Sequence, residues 1–193
     1  HDHPPLSLKS VLSRPLVVAL LFVAFLNQAA HGTYYTYYTL YMETFGHDKG
    51  MIGMIWALSV GAEVAVFMVM ARWLPRFGER KLLLASLLLA VIRWLVTARY
   101  AASLELMFLI QMLHAASFGV IHAVSIHIIH DQFRGKLQGR GQALYSSISF
   151  GVGGVVGSLL GGLVWTSVGA SAIFLFSAAL SLLALGVTWR WIR

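Results

Sequence analysis

The sequence predicts an all-α membrane protein with six transmembrane helices in one bundle. Three observations point there. Hydrophobic residues fill 59% of the 193 positions and charged residues only 11%, whereas soluble domains carry about a quarter charged residues. Six apolar stretches recur, near 16–42, 51–73, 82–98, 104–129, 143–165 and 170–189. Each approaches the roughly 20 residues that a helix needs to cross the bilayer core. Strict polar–apolar alternation is missing from these stretches, so helices rather than barrel strands satisfy the backbone within the membrane.

The connecting segments are short, leaving no room for a soluble domain, and their charges set the orientation. Lys9 and Arg14 precede the first span. Arg72, Arg76, Arg80 and Lys81 separate the second from the third, Arg134, Lys136 and Arg140 the fourth from the fifth, and Arg190 and Arg193 follow the sixth. The other side carries Lys49 and Arg99. The positive-inside rule therefore predicts both termini in the cytoplasm. The net charge of +7 is a topology signal, not a nucleic-acid surface. There is no cysteine, which excludes disulfides and thiolate metal sites.

Span one is polar and aromatic along one side. At about 100° per residue, Asn27, His31, Tyr34, Tyr35 and Tyr38 share roughly 100° of arc. That stripe is expected to wall a cavity, stacking on a ring and hydrogen-bonding a polar group. A competing reading takes Leu16–Leu26 after Lys9 and Arg14 as a signal peptide with small residues at Ala29 and Ala30. The stripe that continues past those alanines argues for a span.

Span two places Trp56, Ser59, Glu63, Phe67 and Met70 on one face, and span three places Ser86, Arg93 and Thr97 on one face. Glu63 and Arg93 each sit roughly 18 Å from opposite membrane boundaries at 1.5 Å per residue. Their depths differ by about 6 Å in a core of about 30 Å, a gap their side chains can span; the two either handle substrate or protons or form a structural ion pair that clasps spans two and three. Charges at that depth cost roughly 2.5–3.5 kcal/mol on insertion scales and usually mark a substrate or proton pathway.

Span four carries Gln111, His114 and Phe118 on one face, with Ser117 and His122 at its margins. His114 and His122 can donate, accept and titrate. Together with His127 and His130 they point in scattered directions, so no metal site is expected. Span five repeats small residues at Gly153, Gly157 and Gly161 and at Gly154, Ser158 and Gly162. This is small-xxx-small packing, and it lacks the Gly-Lys-Ser/Thr of a phosphate loop. No hydrolase signature appears, and no enzyme activity or cofactor is expected.

Six spans with both ends inside resemble one half of a major facilitator superfamily transporter. The segment from Ala71 through Pro75, Arg76, Gly78 and Arg80 to Lys81 resembles that superfamily's basic loop, with Pro75 where an aspartate is usual and Ala71 where a glycine is usual. Within the superfamily, the chain resembles the second half of the phenylpropionate permease group, a branch near the oligosaccharide:proton symporters. The resembling pieces are Gln28 through Tyr35, Trp56 through Glu63, Val91 through Trp94, Gln111 through His114, and Leu137 through Ser146. The lactose permease is also similar, placing a glutamate, an arginine and a histidine where Glu63, Arg93 and His114 stand. In that relative they serve substrate recognition and proton coupling. Its proton-carrying glutamate is Ser117 here and a lysine is Gln111, so its proton route does not transfer.

The resemblance implies a twelve-helix major facilitator fold of which this is the carboxy-terminal half. Residues 1–15 are then part of a central cytoplasmic linker and 16–193 the six-helix bundle. The missing initial methionine and the opening His-Asp-His-Pro-Pro also read as the middle of a longer protein. The expected function is proton-linked symport of a small organic solute, such as an aromatic carboxylic acid, across a bacterial inner membrane. The proton is the coupling ion. The expected partners are the lipid bilayer, the solute and an amino-terminal six-helix half, and no nucleic acid. A sugar or a nucleoside is the alternative solute. A rival of another class is a non-transporting scaffold, pinned by Glu63 and Arg93 and oligomerising through the span-five glycines. The expected pathway residues are Asn27, His31, Tyr34, Tyr35, Tyr38, Trp56, Glu63, Arg93, Gln111, His114 and His122.

Overall fold

The computed structural model describes residues 7–192. A short helix α1 (Leu8–Leu12) leads into six membrane-length helices: α2 (Pro15–Glu43), α3 (Lys49–Phe77), α4 (Glu79–Tyr100), α5 (Leu104–Gln132), α6 (Gly135–Ser167) and α7 (Ala172–Trp191). All six expected spans are present, and most helices run past the apolar stretch that announced them.

Local chemistry explains the boundaries. Pro15 opens α2 at a position where its missing N–H is not needed. Asp48 caps α3, its Oδ2 accepting from Gly50 N at 2.7 Å. The connector expected between spans two and three is almost wholly helical. Gly78 alone separates α3 from α4, at φ 78°, a backbone region that glycine enters without strain.

Residues 1–15 were expected as a linker segment. Residues 1–6 lie outside the described part. Within the rest, Val11 of α1 is fully buried and Arg14 donates from Nη1 to Gln132 Oε1 at 3.0 Å. This stretch therefore packs on the bundle.

Helix α2 is the central element. It packs along α6 and α7, α7 packs also on α4, and α3 packs chiefly on α5. The glycine repeat of α6 is what lets α2 approach. A Cβ on Gly157 would collide with the carbonyl of Ala29, and one on Gly153 would lie 2.7 Å from Phe25 O. Thr33 Oγ1 then donates to Gly157 O at 2.8 Å, and Tyr37 OH to Ser158 O at 3.0 Å. The scaffold reading assigned these glycines to an oligomer face. The correction is physical: α2 already occupies that groove.

Two apolar clusters fill the interior. One, toward the basic loops, holds Leu20, Val23, Leu83, Leu87, Val124 and Ile128. The other holds Tyr34, Tyr38, Tyr41, Trp94, Met107 and Phe174. Between them α2, α4 and α5 contribute a polar seam, with Asn27, His31, Arg93, Gln111, His114 and Ser117 all buried. Two π-helical turns flank this level, Ala115–Val120 in α5 and Ser147–Gly153 in α6. Such insertions recur at functional sites.

Candidate functional site

The seam is built around Arg93, which is fully buried. Its Nε donates to Gln111 Oε1 at 2.9 Å, and its Nη1 donates to Ser117 Oγ at 2.9 Å and to His31 Nε2 at 3.2 Å. His31 Nδ1 lies 2.8 Å from Asn27 O. A carbonyl only accepts, so Nδ1 carries the proton there and Nε2 offers its lone pair to Arg93. The guanidinium is also flanked by two rings, Tyr34 at 4.3 Å and Trp94 at 4.2 Å from its central carbon, as cation–π contacts require. A second layer holds these partners in place. Gln111 Nε2 donates to Thr97 Oγ1 at 3.0 Å, Thr97 Oγ1 donates to Arg93 O at 2.8 Å, and Trp94 Nε1 donates to Ser181 Oγ at 3.0 Å.

The Glu63–Arg93 ion pair that their shared depth allowed is not formed among the described residues. Equal depth is not equal direction. Arg93 points into the seam between α2 and α5, while Glu63 meets α5 from its other neighbour, α3. There its Oε2 lies 3.3 Å from His114 Nε2. Gly119 makes that approach feasible, because a Cβ at 119 would lie 3.1 Å from Glu63 Cγ. His114 therefore partners the acid, and Arg93 keeps only neutral acceptors. Ser117 and Gln111 now have a structural role: both are hydrogen-bond partners of Arg93.

Several buried polar atoms here have no hydrogen-bond partner among the described residues: Arg93 Nη2, Tyr34 OH, Tyr38 OH, His114 Nδ1 and Asn27 Oδ1. A buried cation with no carboxylate beside it and a free N–H edge is expensive to maintain.

The tyrosine stripe is mostly interior. Asn27, His31, Tyr34 and Tyr38 are buried in the bundle, and only Tyr35, at 45%, is substantially exposed. The stripe points into the seam because α4, α5 and α7 close over it. Trp56 stacks on Tyr35 at 5.9 Å and donates Nε1 to Thr39 Oγ1 at 3.2 Å. His122 stands further along α5, its Nδ1 3.0 Å from Tyr145 OH.

Phe118 and Phe150 are the residues that sequence reasoning left out of the site. His114, Phe118 and His122 stack as a column, with centroid spacings of 5.2 Å and 5.8 Å and ring planes within 6° of parallel. Phe150, from the π-helical turn of α6, meets Phe118 edge-on at 6.0 Å. A phenylalanine in a membrane span looks the same in sequence whether it faces lipid or a site. The signal that existed was the spacing of four residues between His114, Phe118 and His122. Tyr35, Trp56, Phe118 and Phe150 thus form a partly open aromatic surface beside Glu63.

The profile of the MFS_1 like family matches residues 4–176. Over 126 residues the chain is 32% identical to the "Probable 3-phenylpropionic acid transporter" of Escherichia coli (strain K12), covering 65% of this chain and 33% of that protein. Over 143 residues it is 27% identical to the "Maltose permease" of Geobacillus stearothermophilus, covering 73% of this chain and 36% of that protein. The matched region spans about a third of each curated relative.

Proposed function

Because this chain belongs to the MFS_1-like family of the major facilitator superfamily, a family of multi-pass membrane transporters, we propose that it is the six-helix half of a proton-linked symporter for a small aromatic carboxylic acid. In this proposal the basic loops face the cytoplasm of a bacterial inner membrane. An opposing six-helix half completes the pathway, with the solute held between the halves near midplane.

One observation carries the reading: Arg93 is a fully buried cation without an acid partner, with Nη2 unpaired among the described residues. A solute carboxylate would supply the missing acceptor, joined by the free hydroxyls of Tyr34 and Tyr38. The solute's ring would lie against Tyr35, Trp56 and Phe118, where offset or edge contacts between rings add about 0.5–1.5 kcal/mol. Glu63 would be the proton site, exchanging with the cavity through its side-chain edge, which is 14% exposed. His114 would sense whether that acid is charged, because its Nε2 edge lies 3.3 Å from Glu63 Oε2 and its ring centroid lies 5.6 Å from that of His31, a partner of Arg93.

The relative named as a maltose permease supports a sugar as the second reading. Glu63, His114 and an aromatic platform also suit hydroxyl groups on a flat ring. The non-transporting scaffold loses two of its premises, the Glu63–Arg93 pin and a free glycine face.

The test is an uptake panel in cells expressing the chain together with its opposing half. Phenylpropionate, maltose and a nucleoside would be supplied under a proton gradient. Uphill accumulation of the carboxylate that collapses with a protonophore supports the proposal. Accumulation of the sugar alone supports the second reading.

A further inference from the structure

We propose a divalent-cation site of the zinc class at the basic end of the bundle, formed by Glu79, His127 and Asp131. It lies apart from the seam and on different side chains. Glu79 is the first residue of α4, directly after the Gly78 corner, and His127 and Asp131 are one turn apart near the end of α5.

The geometry is that of three ligands around one ion. His127 Nε2 lies 3.4 Å from Glu79 Oε1 and 3.6 Å from Asp131 Oδ2, and one donor atom from each residue falls within 4.8 Å of the others. Neither short distance is a hydrogen bond. A single ring nitrogen carries at most one proton and satisfies one acceptor well, yet this nitrogen is nearly equidistant from two carboxylates. Two ligands on one tetrahedral zinc, at about 2.0–2.2 Å from the metal, stand roughly 3.3–3.6 Å apart. The imidazole sits at that distance from both acids.

A second imidazole stands nearby: His130 Nδ1 lies 3.7 Å from Asp131 Oδ1, the carboxylate oxygen other than the one near His127, beyond hydrogen-bonding distance. The charges facing the cluster are mixed. Arg80 and Lys81 follow Glu79 in sequence, but Arg80 is engaged by Trp189, donating from Nη2 to its carbonyl oxygen at 3.0 Å. Arg134 donates its Nε to the backbone oxygen of Asp131 at 3.1 Å, not to its carboxylate. Two carboxylates and one imidazole nitrogen thus converge on one point. One imidazole and two oxygens suit zinc better than calcium or magnesium, which favour all-oxygen sites. Three protein ligands leave a fourth position for water, and a bound ion would fasten the Gly78 corner to the end of α5.

The test is zinc titration by calorimetry of the purified chain in detergent, without an oligohistidine tag, at pH 7.5. Wild type is expected to bind one zinc that both His127→Ala and Glu79→Gln weaken by at least tenfold, while His130→Ala weakens it less. Zinc is also expected to raise the melting temperature of wild type and not that of Glu79→Gln, a near-isosteric change that leaves the fold intact. If all three variants bind zinc as wild type does, or if wild type binds none, these residues are a surface ion cluster only and the proposal is overturned.

Discussion

Replacing Arg93 with lysine keeps the buried charge and removes the fork. The guanidinium donates along two directions, from Nε to Gln111 at 2.9 Å and from Nη1 to Ser117 at 2.9 Å and His31 at 3.2 Å. A lysine ammonium is one nitrogen on a flexible stem, so it cannot serve both directions. We expect it to keep the Ser117 side and abandon Gln111, leaving Gln111 Oε1 buried without a donor. It also loses the flat contacts with Tyr34 and Trp94. A hydrogen bond to a charged group contributes about 1.5–3 kcal/mol, and the stacking contributes about 0.5–2 kcal/mol. The variant should therefore be less stable by about 3 kcal/mol. Thermal unfolding of the purified chain in detergent, followed by helical circular dichroism, reads this as a melting point several degrees below wild type. An Arg93→Lys variant that melts with wild type would refute the claim that the fork organises the seam.

Three further outcomes follow from the same geometry. Glu63→Gln in the complete transporter should abolish proton-driven accumulation while sparing downhill exchange, measured with labelled solute with and without a gradient; retained uphill transport would remove Glu63 from coupling. Gly157→Ala should cost about 1–3 kcal/mol as α6 is pushed off α2, whereas Gly151→Ala, where an added Cβ meets nothing within 4 Å, should leave the melting point unchanged. The exchange Glu63→Arg with Arg93→Glu should not restore wild-type stability, because the two residues are not partners; full recovery in the unfolding assay would reinstate a direct pair.

Much of the fold was legible because the bilayer constrains it. Twenty apolar residues in a row have one outcome, and all six spans appeared where the hydropathy placed them. What the sequence left open was rotation. Glu63 and Arg93 share a depth, which rise per residue supplies, but the direction each side chain takes depends on how α3, α4 and α5 pack. The π-helical turn at Ala115–Val120 adds to this, since it turns the residues beyond it relative to an ideal helix. The tyrosine stripe was legible as a stripe, but which of its residues the neighbouring helices bury was not, since periodicity does not show what packs against a helix face. The glycine repeat was readable as a close contact, but its partner, α2, was not. Glu79 was invisible as a neighbour of His127 because they lie on different helices, joined only when α4 and α5 pack.

In the proposed transporter, Arg93, which has no carboxylate partner among the described residues, takes its counter-charge from the solute. The most direct measurement is competition in uptake between phenylpropionate and its neutral amide, a near match in shape without the charge. The account predicts that the acid is transported and that the amide, at equal concentration, neither enters nor competes. Equal transport or equal competition by the amide would contradict it.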